Sequence, residues 1–408
     1  MMDLDRREIE IPPELDGFSV LFPLPYRLAL IVVAGFWGWG VNLHYLSKLK
    51  IDVPALIRYP ARQAPNQKPH HVSVYHLATL LTIPLGASLL LFWMLTHGSI
   101  ERVKSLEWFP QIYVIIFLII LILPVRRLSR SGRYRFLMTL KRISIGGLAQ
   151  PQDGKFGDIL LADALTSYAK ILGDLYVNFC MLFTGGMSAT GKPNRACGGE
   201  FVVPIIVAVP SLIRFRQCLI EFVRVQKQRD RGDGWGGQHL ANALKYASAF
   251  PVIALTALQR NYNPFVVGQI SEVQLYHMWI FFACINSFYS FYWDVTKDWD
   301  LTLFTEARSD PQQPFALRRK RCFPTSKMYY GAIIIDFFLR FTWTSKLSSK
   351  FDHINETEFG LFMLMFLEVA RRWMWIFFRV ETEWVRSIRG PAPDDILLGE
   401  FNRKLDED

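Results

Sequence analysis

Apolar residues are laid out in long blocks separated by basic or Gly/Pro-containing connectors, the pattern of a chain that crosses a bilayer repeatedly. The blocks at 25–46, 77–97, 109–125, 156–187, 200–222, 238–260, 272–296, 328–349 and 359–384 predict about nine transmembrane helices. The third block is short and ends at Pro124. The fold class is therefore all-α, a polytopic integral membrane protein.

Charged residues are not confined to the connectors. Each of the last six blocks carries them, although a charge at membrane depth costs several kcal/mol and ordinarily faces a cavity or a partner. The fourth reads FGDILLADALTSYAKILGDLY, in which Asp163, Thr166, Ser167, Lys170 and Asp174 recur at helical spacing as one polar stripe, with Asp158 upstream. The fifth holds Arg214 and Arg216, and the sixth Asn242, Lys245 and Tyr246. The seventh ends in NSFYSFYWDVTKDWDL, with Asn286, Tyr289, Trp293, Asp294 and Asp298. In the eighth, Asp336 and Arg340 lie four apart on one face, followed by Trp343. In the ninth, EVARRWMWIFFRVETEW places Glu368, Arg372, Trp375 and Arg379 on one helical face, with Arg371 three residues from Glu368.

Composition agrees with a membrane class: 51% of residues are hydrophobic and 14% aromatic. The net charge of +10 falls largely in alternate connectors. Lys48, Lys50, Arg58, Arg62 and Lys68 follow the first block, and a run from Arg126 to Arg142 follows the third. Arg224, Lys227, Arg229 and Arg231 follow the fifth, and RRKR (318–321) follows the seventh. The positive-inside rule then places these connectors in the cytosol, the N-terminus on the lumenal side and the C-terminus in the cytosol. Asn355-Glu356-Thr357 matches the glycosylation triplet in the last non-cytosolic connector. The acidic N-terminus has no cleavable-signal pattern. No nucleic-acid-binding motif appears, so nucleic acid is not an expected partner. The segment from Arg133, RYRFLMTLKRISIGG, reads equally as a helix along the membrane face or as a solvated loop helix. RDRGDGWGGQ reads as a flexible connector.

One buried Glu–Arg pair ordinarily locks helix to helix. Six successive blocks with inward-capable charge instead suggest a lining, and Arg214, Lys245, Arg340, Arg371, Arg372 and Arg379 give it a cationic character. Guanidinium forks match oxyanions, and the neighbouring acids position the forks and limit how tightly an anion is held. The residues alone leave phosphate, sulfate and carboxylate open. An enzyme is not expected: no nucleophile motif, HExxH or phosphate-cradling Gly loop occurs. Asp294 with Asp298, and His70, His71 and His76, are the weak metal candidates, and neither has a ligand-set spacing, so no metal or cofactor is expected. The five cysteines form no CxxC pair; Cys180 and Cys197 flank one non-cytosolic connector and could pair there.

FGDILLADALTS, PSLIRFRQCL, NALKYA, YWDVTKDWDL, IIIDFFLRFTW and EVARRWMWIFFRVETEW resemble, in order, the motifs of the EXS-domain family, which includes phosphate exporters of the xenotropic retrovirus receptor type. The chain looks closest to the family's fungal Golgi member, which is required for retention of ER lumenal proteins and Golgi glycosyltransferases. The resemblance implies a phosphate permeation unit in the last six spans. It carries phosphate contacts onto Asp163, Thr166, Arg214, Lys245, Tyr246, Arg340, Arg371 and Arg372. Trp343, Trp375, Asp294, Asp298, Asp336, Glu368 and Arg379 follow as supporting residues. Two departures are visible: Asp300 stands where the family has Gly, and Ala164 where a polar residue is frequent. The exporters' N-terminal inositol-polyphosphate sensor is expected to be absent, since 24 residues precede the first block.

The expected organisation is a short non-cytosolic N-terminus (1–24), peripheral helices with a basic cytosolic segment (25–150), a permeation domain (151–388) and a cytosolic tail (389–408). The resemblance implies a multi-pass Golgi membrane protein that returns lumenal phosphate to the cytosol. Its implied partners are phosphate, the lipid bilayer, a second copy through the early spans, and the COPI coat and glycosyltransferase-retention machinery through the tail. The alternative expectation is a trafficking adaptor without transport.

Overall fold

A computed structural model describes residues 17–58, 69–123, 130–184, 193–227, 236–265, 270–347 and 357–389. Arg62, Lys68, Arg126, Arg127, the Gly-rich connector, Asn355, and all of the tail beyond Arg389 lie outside these residues. The described residues are helical, with no strand among them. The long elements are α1 (Leu24–Lys48), α2 (His70–Thr96), α3 (Trp108–Ile122), α4 (Lys155–Ser167) and α5 (Ala169–Phe183). They continue with α6 (Val202–Lys227), α7 (Gly237–Ala247), α8 (Ala249–Arg260), α9 (Glu272–Trp293), α10 (Ser326–Arg340) and α11 (Glu358–Arg389).

Four of these stretches are long and apolar enough to cross a bilayer: α1, α2, α6 and the α7–α8 pair, Gly237–Arg260. α3 is apolar but short. Outward-facing Leu90, Met94, Ile116, Ile205, Phe281, Ile334 and Phe338 are exposed, an apolar surface that suits lipid rather than water. The chain is a helical membrane protein. α1 packs between α2 and α11. Gly38 permits the α11 contact, since a Cβ there would sit 2.3 Å from the Trp373 ring.

The structure departs from continuous helices in the second half. The fourth predicted block breaks at Tyr168, the sixth at Ser248, and α10 ends at Arg340 in a 3-10 turn, Thr342–Leu347. α9 passes into a π-helical turn, Asp294–Asp298. Polar side chains brace the breaks. Ser248 donates to the carbonyl of Lys245 at 2.6 Å and to Asn286 at 2.9 Å, and Tyr289 donates to the carbonyl of Ala241 at 2.6 Å. Pro251, in the first turn of α8, has no N–H to continue the ladder from α7, and the bonds of Ser248 hold the break it makes.

Several charges anchor the ends of the bundle. Asp158 accepts from Arg142 at 2.8 Å and from the backbone of Ala149 at 2.8 Å, and Arg216 donates to the carbonyl of Ile143 at 2.6 Å. They hold the basic segment, which forms the helix Arg130–Lys141 and leaves Tyr134, Phe136 and Met138 exposed. At the same end, buried Arg318 pairs with buried Glu381 and donates to Thr382 at 2.6 Å. Glu381 also accepts from Tyr329 and from the backbone of Cys322. Burial and Glu381 push the Cys322 thiol up, which keeps it protonated. Arg318→Ala leaves Glu381 uncompensated and is expected to cost about 3–5 kcal/mol, read from thermal unfolding in detergent.

At the opposite end Cys180 and Cys197 form a disulfide across 17 residues. Cys197→Ala, or reduction, is expected to destabilise the protein by about 2–4 kcal/mol, with a matching change in thiol count on alkylation. Asp300 adopts φ 54°, the left-handed region where glycine is favoured and Asp is among the better-tolerated alternatives. The departure from the family's Gly is thus conformationally accommodated.

Candidate functional site

The helix breaks converge on one charged centre. Asp163, at 3% exposure near the end of α4, accepts from Arg214 of α6 at 2.7 Å and from the Tyr246 hydroxyl of α7 at 2.5 Å. Arg214 also lies over the Tyr246 ring, 4.9 Å from its centroid, and donates to Gln217 at 2.6 Å. Lys245 donates to Asp294 at 3.0 Å and to Asp298 at 3.3 Å. The π-turn sets both acids where one ammonium reaches them.

Asp294 is fully buried and shared by three cations, since Arg340 and Arg371 also bond it. Asp336 accepts from Arg340 at 3.3 Å and Arg371 at 3.0 Å. Arg371 forks onto Glu368 at 3.0 and 2.6 Å. Arg379 bonds Glu383 at 3.0 Å and lies 3.8 Å from Asp298. The Asp336–Arg340 and Glu368–Arg371 spacings thus become ion pairs.

Arg372 differs from all of these. Among the described residues it makes no ion pair. Its Nε donates to Ser167 at 3.0 Å and its Nη2 to Thr166 at 3.0 Å, and its guanidinium lies 4.6 Å from the Trp375 ring centroid. Ser167 passes its own proton to Glu368 at 2.7 Å. Trp375 is fully buried. Trp343 donates to Ser287 at 2.9 Å and packs edge-on against Trp279, which ties the turn after α10 to α9.

The expected cationic excess is corrected in detail. Arg214, Lys245, Arg340, Arg371 and Arg379 are each held by carboxylates, so most of the cluster is internally balanced. Only the Arg372 guanidinium is left with neutral partners, and that is the donor an incoming oxyanion meets without displacing a carboxylate. The predicted stripe along 163–174 is also split. Beyond the break at Tyr168, Asp174 belongs to a second network, with Arg195 at 2.9 Å and, through Glu358, with Arg27 at 2.9 Å. Arg27, Arg195 and Glu358 were not visible as partners in the sequence. The lone Arg within the first apolar block was the available signal. Among the described residues no group of His, Cys, Asp or Glu has metal-site geometry.

Interrupted helices with charged side chains gathered at the interruptions set this half of the chain apart from a purely apolar helical bundle. The chain belongs to the EXS family, whose profile matches residues 22–385. It is 32% identical to "Protein ERD1 homolog 1" of Schizosaccharomyces pombe, over 92% of this chain and 94% of that one. It is 26% identical to "Protein ERD1" of Saccharomyces cerevisiae, over 89% and 93%. It is 31% identical to the "Xenotropic and polytropic retrovirus receptor 1 homolog" of Xenopus laevis, over 68% of this chain and 39% of that one.

Proposed function

We propose that the protein carries inorganic phosphate across the Golgi membrane, from lumen to cytosol, through the centre built on Arg372. The carrying observation is a buried guanidinium held by two hydroxyls and an aromatic face, with no carboxylate of its own, where broken helices meet. The ion-paired cations around it set the field, and their carboxylates keep a passing anion from binding too tightly to leave. Similarity to both the ERD1 proteins and the retrovirus-receptor homologue supports the reading. In this reading the chain spans the bilayer about nine times, is not an enzyme, and has its N-terminus in the lumen. The disulfide at the predicted lumenal end is in keeping with that orientation. A second copy, the COPI coat and the glycosyltransferase-retention machinery are its proposed protein partners.

Phosphate efflux from proteoliposomes, with sulfate as competitor, tests the proposal. Expected is saturable phosphate flux that sulfate inhibits only weakly. No flux from folded, oriented protein would sink it. The retention reading draws on the ERD1 similarity and makes a separate demand. Deleting residues 389–408 is expected to mislocalise Golgi glycosyltransferases in cells while flux in proteoliposomes stays unchanged. Retention unaffected by the deletion removes the tail from that role.

A further inference from the structure

We propose that the basic helix Arg130–Lys141 carries a docking strip for acidic phospholipid, formed by Tyr134, Met138 and Lys141, through which the leaflet on that side steadies α4. The inference goes beyond the phosphate reading and does not rest on it.

Three sets of contacts fix how the helix lies. Arg133 bonds the carbonyls of Ile120 and Leu123, the latter at 2.6 Å, so the helix begins where α3 ends. Arg135 donates to the carbonyls of Ile57 and Arg58 in the connector after α1. Leu140 and Ile143 pack with Leu161, Ala162 and Leu165 of α4 and with Ile213 of α6. Tyr134, Met138 and Lys141 recur at intervals of four and three, which puts them on a common face, and all three are exposed. Ile145, in the turn that follows, is 76% exposed.

Position and charge together identify what covers the strip. α3, whose last carbonyls anchor the helix, turns Ile112, Ile116, Ile119 and Ile122 outward, a surface that suits lipid. The strip therefore continues a lipid-facing surface at the point where α3 leaves it. The chain has seven Lys or Arg from Arg126 to Arg142 and no Asp or Glu from Trp108 to Gln152. Such a segment is drawn to anionic headgroups, while an aromatic ring, a thioether and a lysine stem seat beside the acyl chains. In the expected orientation this is the cytosolic side, whose leaflet is the anionic one. Neutral lipid satisfies the apolar side chains but not the charge, so the headgroup is acidic, and phosphatidylserine is the probe.

The strip is tied to the centre through α4. Arg142, next after Lys141, donates to Asp158 at 2.8 Å, and Asp158 also accepts from the backbone of Ala149 at 2.8 Å. Asp158 and the packed Leu161, Ala162 and Leu165 belong to the helix that presents Thr166 and Ser167 to Arg372. Lipid that orders the basic helix thereby orders the hydroxyls that hold the central guanidinium.

The test follows thermal unfolding of the full-length protein in detergent during titration with phosphatidylserine or phosphatidylcholine. Phosphate flux is measured in liposomes with and without phosphatidylserine. Wild type is compared with Lys141→Gln, with the double variant Tyr134→Ser, Met138→Ser, and with Lys104→Gln, an exposed lysine ahead of the opposite end of α3 that serves as charge-matched control. Phosphatidylserine is expected to raise the unfolding temperature of wild type saturably, and phosphatidylcholine to leave it unchanged. Lys141→Gln is expected to weaken the apparent affinity for phosphatidylserine about 5-fold, the scale of one cation near an anionic surface. The double variant is expected to lose the saturable rise, and Lys104→Gln to follow wild type. Wild-type flux is expected to be several-fold higher with phosphatidylserine, and that of the double variant indifferent to it. If the double variant does not fold, Lys141→Gln decides alone. The two lipids acting alike on wild type, or phosphatidylserine acting alike on wild type and Lys141→Gln, overturns the docking strip. Saturable stabilisation with wild-type flux indifferent to lipid overturns the link to α4. Stabilisation by phosphatidylserine with no flux in any lipid defeats the phosphate reading alone, and flux with no lipid response in either measurement defeats the docking strip alone.

Discussion

Arg372→Ala is expected to lower phosphate flux in proteoliposomes by about 100-fold or more, the scale of losing a preorganised donor from a charge-stabilising site. The protein should remain folded. The substitution removes hydrogen bonds to Ser167 and Thr166 but strips no carboxylate of its ion-pair partner, so its stability cost is about 1–3 kcal/mol. Arg340→Ala is equivalent by sequence and different by structure. It leaves Asp294 and Asp336 short of a cation in a buried site, at a cost of about 3–5 kcal/mol, so loss of flux there mixes pathway with fold. Flux together with thermal unfolding in the same preparation distinguishes them. A folded Arg372→Ala with normal flux removes Arg372 from the pathway and returns the cluster to helix-locking ion pairs.

Much of this centre was legible in the sequence, because helical spacing alone relates residues three or four apart. Asp336 with Arg340, and Glu368 with Arg371, are pairs of that kind, and the structure makes both. Contacts between helices were not legible. Nothing in the spacing says that Asp294 serves Lys245, Arg340 and Arg371 together, or that Arg372 turns to α4 while its neighbour Arg371 turns to α10. The break at Tyr168 was hidden, with no Gly or Pro within four residues of it, whereas the break at Ser248 carried a signal that block length alone overlooks, Pro251 in the first turn of α8. By sequence the acids offset the cations only in part, and the structure shows the offset to be fuller, because acids such as Asp163 and Asp294 reach arginines and lysine on neighbouring helices. Within the central cluster, among the described residues, one guanidinium, that of Arg372, has no carboxylate partner.

Asp294→Asn addresses the carboxylate that competes with the substrate. Asp294 occupies the position where Lys245, Arg340 and Arg371 converge, and an oxyanion entering beside Arg372 meets cations already partly satisfied by it. Neutralising it in place keeps an acceptor oxygen but frees positive charge. Phosphate is then expected to bind about 10-fold or more tightly while maximal flux falls by a similar factor, because release becomes the slow step. Some stability is lost as well, about 1–3 kcal/mol, since a charged acceptor serving three donors becomes a weaker one. Phosphate titration and flux on the same variant check the opposed directions. Tighter binding with slower flux identifies Asp294 as the group that sets residence time. Unchanged binding with flux lost in proportion to unfolding assigns it to holding α7, α9, α10 and α11 together, and the limit on anion affinity must then come from Glu368, the carboxylate that accepts from Arg372's partner Ser167.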